Sequence, residues 1–221
     1  MIPVALLVVA KAPVSGLAKT RLATTIGDAA AADVAAAALL DTLDAAADAP
    51  VAARIVALTG DLAVASRRVE LEARLADFTV IDQRGEGFAD RLANAHADAS
   101  NAAGGLPILQ IGMDTPQVTP GLLGDCALTL SGVDAVLGMA CDGGWWVLGV
   151  TRPAMAECLR TVPMSQPNTG AVTLRALADT GMDVRLVAEL ADVDTFDDIA
   201  VVSQACLPGS RFHQLSSIEG A

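Results

Sequence analysis

The chain has 221 residues, 53% hydrophobic and 18% charged, which excludes a disordered polymer and leaves enough apolar side chain for a sizeable core. Fourteen basic against 26 acidic residues give a formal net charge of -12, a poor match for the phosphate backbone of nucleic acid. Mean hydropathy is +0.49, much of it from alanine, and no apolar run approaches the roughly 20 residues that span a bilayer. The expectation is a soluble, cytoplasmic protein with no membrane span and no nucleic-acid partner.

The apolar run Ile2–Ala10, which contains the first predicted strand, Pro3–Ala10, is too short for an anchor and lacks the basic flank of a signal peptide. It delivers the chain into Lys11-Ala-Pro-Val-Ser-Gly-Leu-Ala-Lys-Thr-Arg-Leu22. The only two lysines, Lys11 and Lys19, stand here beside Arg21, and the first acidic residue is Asp28. An acidic protein with one cationic segment asks for an anionic ligand there. Ligands of open α/β sheets bind beyond the carboxyl ends of the strands, which is where this loop falls. Pro13 and Gly16 shape a turn whose backbone N–H groups can converge on an anion. Arg21 can grip phosphate oxygens bidentately while the lysines act as point charges. Lys11, Pro13, Gly16, Lys19, Thr20 and Arg21 are the candidate phosphate-binding residues; a solvated basic loop is the alternative. The order is not that of a Walker loop, because Ala18 precedes Lys19.

An alanine-rich helix follows over 28–48, then a strand at Ala53–Thr59, a helix over 62–76 and a strand at Phe78–Asp82. In the next helix, 87–103, Asp90 and Arg91 are either substrate contacts or a surface pair, and His96 reads as structural. The strand Leu106–Ile111 leads into Gly112-Met-Asp-Thr-Pro116, where proline stops the strand just past Asp114. A carboxylate there can hold magnesium against phosphate oxygens, or serve only as a turn or capping residue. After a helix over 119–131 and a strand at Ala135–Met139 comes Cys141-Asp-Gly-Gly-Trp-Trp146. Its glycines allow close approach of a ligand, and successive tryptophans in extended chain point to opposite faces, one to the core and one to a pocket. A plain hairpin turn fits the same residues.

Weaker strands are predicted at Val147–Val150 and Val184–Val187, with helices near 153–160, 168–180 and 195–206. Ahead of the last helix, Asp192-Val-Asp-Thr-Phe-Asp-Asp198 offers Thr195 or Asp194 as a cap, and its clustered carboxylates could complete a magnesium site. The four cysteines show no metal or disulfide spacing and read as reduced core residues. Strands alternating with helices imply one three-layer α/β/α sandwich with a mostly parallel sheet, a domain over 1–208, and a loosely held tail over 209–221.

Together the four segments resemble the glycosyltransferase-like family of selenodomain-associated transferases, with its K-x-P-x-x-G-x-x-K-T-R-L, G-x-D-x-P, D-G-G-aromatic-aromatic and D-V-D-T motifs in order from Lys11 to Ile199. The resemblance implies a GT-A, nucleotide-diphospho-sugar transferase-like fold shared with small nucleotidyltransferases. It implies phosphate binding by Lys11, Gly16, Lys19 and Arg21, metal ligation (Mg2+ or Mn2+) by Asp114 and Asp194, and an acceptor side at Asp142, Gly143, Gly144, Trp145 and Trp146, with Arg91. Lys19, Arg21, Asp114 and Asp142 are the implied catalytic set. Trp145-Trp146 in place of a tyrosine pair, and Pro163-Met-Ser165 in place of Pro-Trp-Ser, depart from the pattern on the acceptor side. The expected partners are a nucleoside triphosphate or nucleotide sugar and a small-molecule acceptor. Nucleotidyl transfer is favoured over sugar transfer because Asp114-Thr-Pro lacks the Asp-x-Asp of many glycosyltransferases; a non-catalytic nucleotide-binding protein is the third reading.

Overall fold

Ile2–Lys11 form β1, in which Val4 to Ala10 are all buried because the strand is paired on both edges and covered on both faces. The computed structural model describes residues 1–218. After β1 come α1 (Thr20–Ile26), α2 (Asp28–Asp48), β2 (Val51–Thr59), α3 (Arg68–Leu75), β3 (Thr79–Asp82), α4 (Phe88–Ala102), β4 (Ile108–Ile111) and α5 (Pro120–Leu130). The second half adds β5 (Ala135–Ala140), β6 (Trp145–Val150), α6 (Thr169–Asp179), β7 (Val184–Leu190), α7 (Phe196–Ala205) and α8 (Arg211–Ile218). The strands form one sheet in the order β3-β2-β1-β4-β6-β5-β7, parallel except for β6.

Alternation along β1 divides the core. Val4, Leu6 and Val8 meet Leu40 of α2, Leu71 of α3 and Leu123 of α5; Ala5, Leu7 and Val9 meet Leu92 of α4, Leu177 of α6 and Leu159 of a 3-10 helix over Pro153–Thr161. This is the three-layer α/β/α sandwich expected from the alternating pattern. The alanines of α2 have a second use: Ala31, Val34 and Ala38 on its outer side pack with Leu22 of α1, Ile199 and Val202 of α7, and Phe212 of α8. A helix enclosed on two sides needs small side chains, and alanine supplies them at the best helix propensity.

Several elements differ from expectation. The predicted helix over 62–76 breaks at Arg67, which takes a left-handed φ of 50° and places its guanidinium on Asp33 at 2.7 and 2.8 Å. The chain over Pro153–Thr161 winds as 3-10 helix. β6 starts at Trp145 and runs antiparallel between β4 and β5. The segment expected to be loose after Gly209 carries α8 instead: Phe212 is buried, and the Asp41 carboxylate of α2 accepts from the Phe212 N–H at 2.8 Å and the Arg211 N–H at 3.1 Å. Residues 219–221 lie outside the described residues. No helix among the described residues is long and apolar enough to cross a membrane.

Because six strands run the same way, the segments following β1, β3, β4, β5 and β7 emerge at one edge of the sheet. That edge carries the site.

Candidate functional site

The loop after β1 turns tightly through Gly16, whose φ of 76° favours glycine, and Lys19 follows in the left-handed region at φ 46° immediately before α1. This strained backbone brings the Lys19 ammonium across to β4, where Nζ lies 2.7 Å from Asp114 Oδ2 and 3.9 Å from Asp194 Oδ1. Arg21 donates to the other oxygen of Asp194. Residues 95 and 175 positions from Lys19 in the chain therefore share its charge. Burial opposes that charge, yet the Asp114 carboxylate, with Asp194 and Asp192 behind it, holds the Lys19 pKa above the ordinary lysine value.

Asp192, in the chain just past β7, is the other member of this cluster. Burial, then the Asp114 and Asp142 charges, push its carboxyl up to about 6, with Lys19 pulling the other way. In the sequence Asp192 is only one member of an acidic run whose carboxylates could complete a magnesium site; its position just past a strand, as with Asp114, is the signal that singles it out.

Two connected spaces flank these residues. A cleft of about 540 Å3 is lined by Lys11, Arg21, Asp114, Asp142, Asp192 and Asp194 on its charged side, and by Arg91, Gln110, Gly144 and Trp145 elsewhere. A smaller recess of about 260 Å3 lies under the loop, against Lys11, Lys19, Thr20, Arg21, Asp114 and Asp194. Lys11 folds back to donate to the Leu17 carbonyl at 2.9 Å, bracing the loop. Pro13 is buried and lines neither space; its carbonyl accepts from the Ser66 N–H at 2.9 Å. Gly16 shapes the loop without lining it.

Asp142 closes its own turn by accepting from the Gly144 N–H at 2.7 Å. Gly143, at φ 89°, is pressed against the loop before α6, so closely that a Cβ would sit 1.8 Å from the Pro167 carbonyl oxygen. The tryptophans split as alternation requires. Trp145 faces the cleft, whereas Trp146 is buried and donates from Nε1 to the Ala188 carbonyl at 2.8 Å, so that only Trp145 of the expected acceptor-side pair lines the cleft. Gly138 on β5 makes room for that indole. Arg91 does not pair with Asp90: it lies 5.8 Å over the Phe88 ring, and Asp90 takes Arg160 at 3.1 Å. Asp194 is not the cap of α7, because Thr195 and Asp198 form a capping box there. It stays available to the cleft.

Among the described residues no group of three or more histidine, cysteine or acidic side chains is arranged to hold a metal ion. Asp114 and Asp194 are nevertheless bridged by one ammonium, and their carboxylate oxygens are the hard donors that magnesium or manganese takes. Such ions need only one or two carboxylates once phosphate oxygens are present.

Residues 42–166 match the family described as "Uncharacterized protein conserved in bacteria (DUF2064)". The chain belongs to this family. No curated protein matches the sequence. Among solved structures, a protein of Desulfovibrio desulfuricans G20 described as a nucleotide-diphospho-sugar transferase by assignment is similar over 100% of this chain and 96% of its own, at 22% identity and a TM-score of 0.85. CMP:2-keto-3-deoxy-manno-octonic acid synthetase in complex with CTP is similar at 14% identity and a TM-score of 0.56, over 90% of this chain and 96% of its own. Rv0371c of Mycobacterium tuberculosis H37Rv in complex with manganese is similar at 21% identity and a TM-score of 0.55, over 90% of this chain and 97% of its own. At these identities the likeness establishes the GT-A, nucleotide-diphospho-sugar transferase-like fold.

Proposed function

We propose that this protein is a nucleotide-dependent transferase that moves a nucleotidyl group from a nucleoside triphosphate to a small phosphorylated acceptor. One observation carries the reading: Lys19 and Arg21 from the loop after β1 converge on Asp114 and Asp194 beside a cleft of about 540 Å3. The four-motif resemblance to selenodomain-associated transferases supports it, as do solved structures of like fold in complex with CTP and with manganese.

In this reading Lys11, Lys19, Thr20 and Arg21 bind the triphosphate, and Lys19 exchanges its carboxylate partners for phosphate oxygens. Asp114 and Asp194 would hold a divalent cation, Mg2+ or Mn2+, which supplies neutralisation of phosphate charge. The acceptor occupies the side formed by Asp142, Gly144, Trp145 and Arg91. An acceptor phosphate oxygen bonds to the α-phosphorus as the bond to the α,β-bridging oxygen breaks, and the electron pair leaves with pyrophosphate. The chain contributes alignment and fixed positive charge, which is most of what this chemistry requires. A soluble, cytoplasmic protein suits these substrates.

A second reading, sugar transfer from a nucleotide sugar, is favoured by Asp192-Val-Asp194, an Asp-x-Asp whose two acids both line the cleft. Product analysis separates the two. Pyrophosphate from a triphosphate supports nucleotidyl transfer; free nucleoside diphosphate from a nucleotide sugar supports the second reading and refutes the first.

A further inference from the structure

Gln110 is a polar residue in the middle of the apolar strand β4, paired in register with Leu7 of β1. It is 2% exposed, lies at the cleft, and its Oε1 has no hydrogen-bond partner. Behind it, His96 of α4 is completely buried, and neither ring nitrogen has a partner. Burial pushes the His96 pKa down to about 4, so the ring is neutral at pH 7; Gln110 is near enough to favour the charged form. Ring and amide face each other without closing a hydrogen bond of normal geometry. Buried polar groups are costly without partners, and one N–H from the neutral imidazole to Gln110 Oε1 satisfies the amide oxygen and one of the two ring nitrogens. That bond leaves the two Nε2 hydrogens of Gln110 for the cleft.

The neighbouring wall includes apolar side chains: Val9, Leu92 and the half-exposed Phe88 ring under the Arg91 guanidinium. It also holds Gln83, whose Nε2 donates to the Ala10 and Ala57 carbonyls at 2.8 and 2.9 Å. With both hydrogens used, Gln83 offers only its Oε1 acceptor. A stacking surface with one fixed donor and one fixed acceptor suits the edge of a planar heteroaromatic group better than a phosphate, for which the cationic loop exists.

We infer that Gln110 is a nucleobase contact that sets base preference, and that His96 is the positioning residue turning its amide toward the ligand. The inference rests on the nucleotide reading above. Calorimetric titrations of the full chain with ATP, CTP, GTP, UTP and inorganic tripolyphosphate, all with Mg2+, test it. Gln110→Leu weakens the tightest nucleotide roughly tenfold and narrows the spread among the four, while tripolyphosphate binds as before. Gln110→Met, which keeps the unbranched shape, serves where Leu impairs folding. His96→Phe preserves a ring of similar size yet gives the same loss, and the double variant binds no more weakly than either single one, because the residues act as a unit. Unchanged base discrimination in Gln110→Leu or Gln110→Met, or equal weakening of tripolyphosphate, overturns the inference while leaving nucleotide binding intact. Failure of every nucleotide to bind the unmodified chain overturns the nucleotide reading and this inference with it.

Discussion

Replacing Lys19 by alanine leaves Asp114, Asp192 and Asp194 without the ammonium that lies 2.7 Å from one and 3.9 Å from another. Lys19 is 11% exposed at its side chain and Asp114 31%, so the pair falls between a surface bridge and a fully buried one. Breaking a buried pair costs about 3–5 kcal/mol and a surface pair about 0–1; a value of about 2 kcal/mol fits this position. In a chain of this size that lowers the melting temperature by about 4–8 °C. The sign with pH follows from linkage. The raised pKa of Lys19 means its contribution is complete below the ordinary value of 10.5. Without it, the Asp192 carboxyl, already pushed up to about 6 against the pull of Lys19, is held up further in the native state, native protein binds more protons than unfolded between about pH 4 and 6, and stability falls as pH rises through that window. Lys19→Ala should therefore melt well below the unmodified protein at pH 7, approach it at pH 5, and regain stability at pH 7 when manganese replaces the lost charge. Differential scanning calorimetry at both pH values, with and without manganese, decides the matter. Equal melting at pH 7 with no response to manganese would refute the electrostatic account of the cluster.

Asp114→Asn should retain the fold, since the amide still fits the turn, but lose at least tenfold in metal-dependent nucleotide affinity, measured by calorimetry across a magnesium series. Asp192 titrates at about 6 in the folded chain, above the ordinary aspartate value, so it destabilises the native state progressively from about pH 4 to 6; Asp192→Asn should raise the melting temperature at pH 7 and flatten its pH dependence over that window. Gly143→Ala adds a Cβ 1.8 Å from the Pro167 carbonyl oxygen at a positive φ, and should cost about 2–4 kcal/mol in denaturant unfolding.

The sheet was legible where strands are buried on both faces. β1, β2, β4 and β5 show as apolar runs, but apolar runs carry no direction, so the antiparallel insertion of β6 was not visible. Nor was the docking of α8, which depends on Asp41, 170 residues from Arg211. The break at Arg67 likewise reflects a distant partner, Asp33, that overrides local helix propensity. In the site, the confinement of both lysines to one loop and the strand-ending position of Asp114 were readable because composition and position together marked them. The stability role of Lys19 was not: its pairing with carboxylates from two other strand ends is a property of topology. Asp192 and Gln110 escaped for the same reason, since a residue's entry into a cleft is decided by the register of neighbouring strands.

The proposed role of the Lys19 loop and the Asp114–Asp194 carboxylates is to seat nucleotide phosphates and a divalent cation together. Its most direct test is calorimetric titration of the unmodified chain with nucleoside triphosphates and nucleotide sugars, with magnesium and then with a chelator. At least one nucleotide should bind with magnesium and lose most of its affinity without it. Absence of binding by every nucleotide in both conditions would contradict that role.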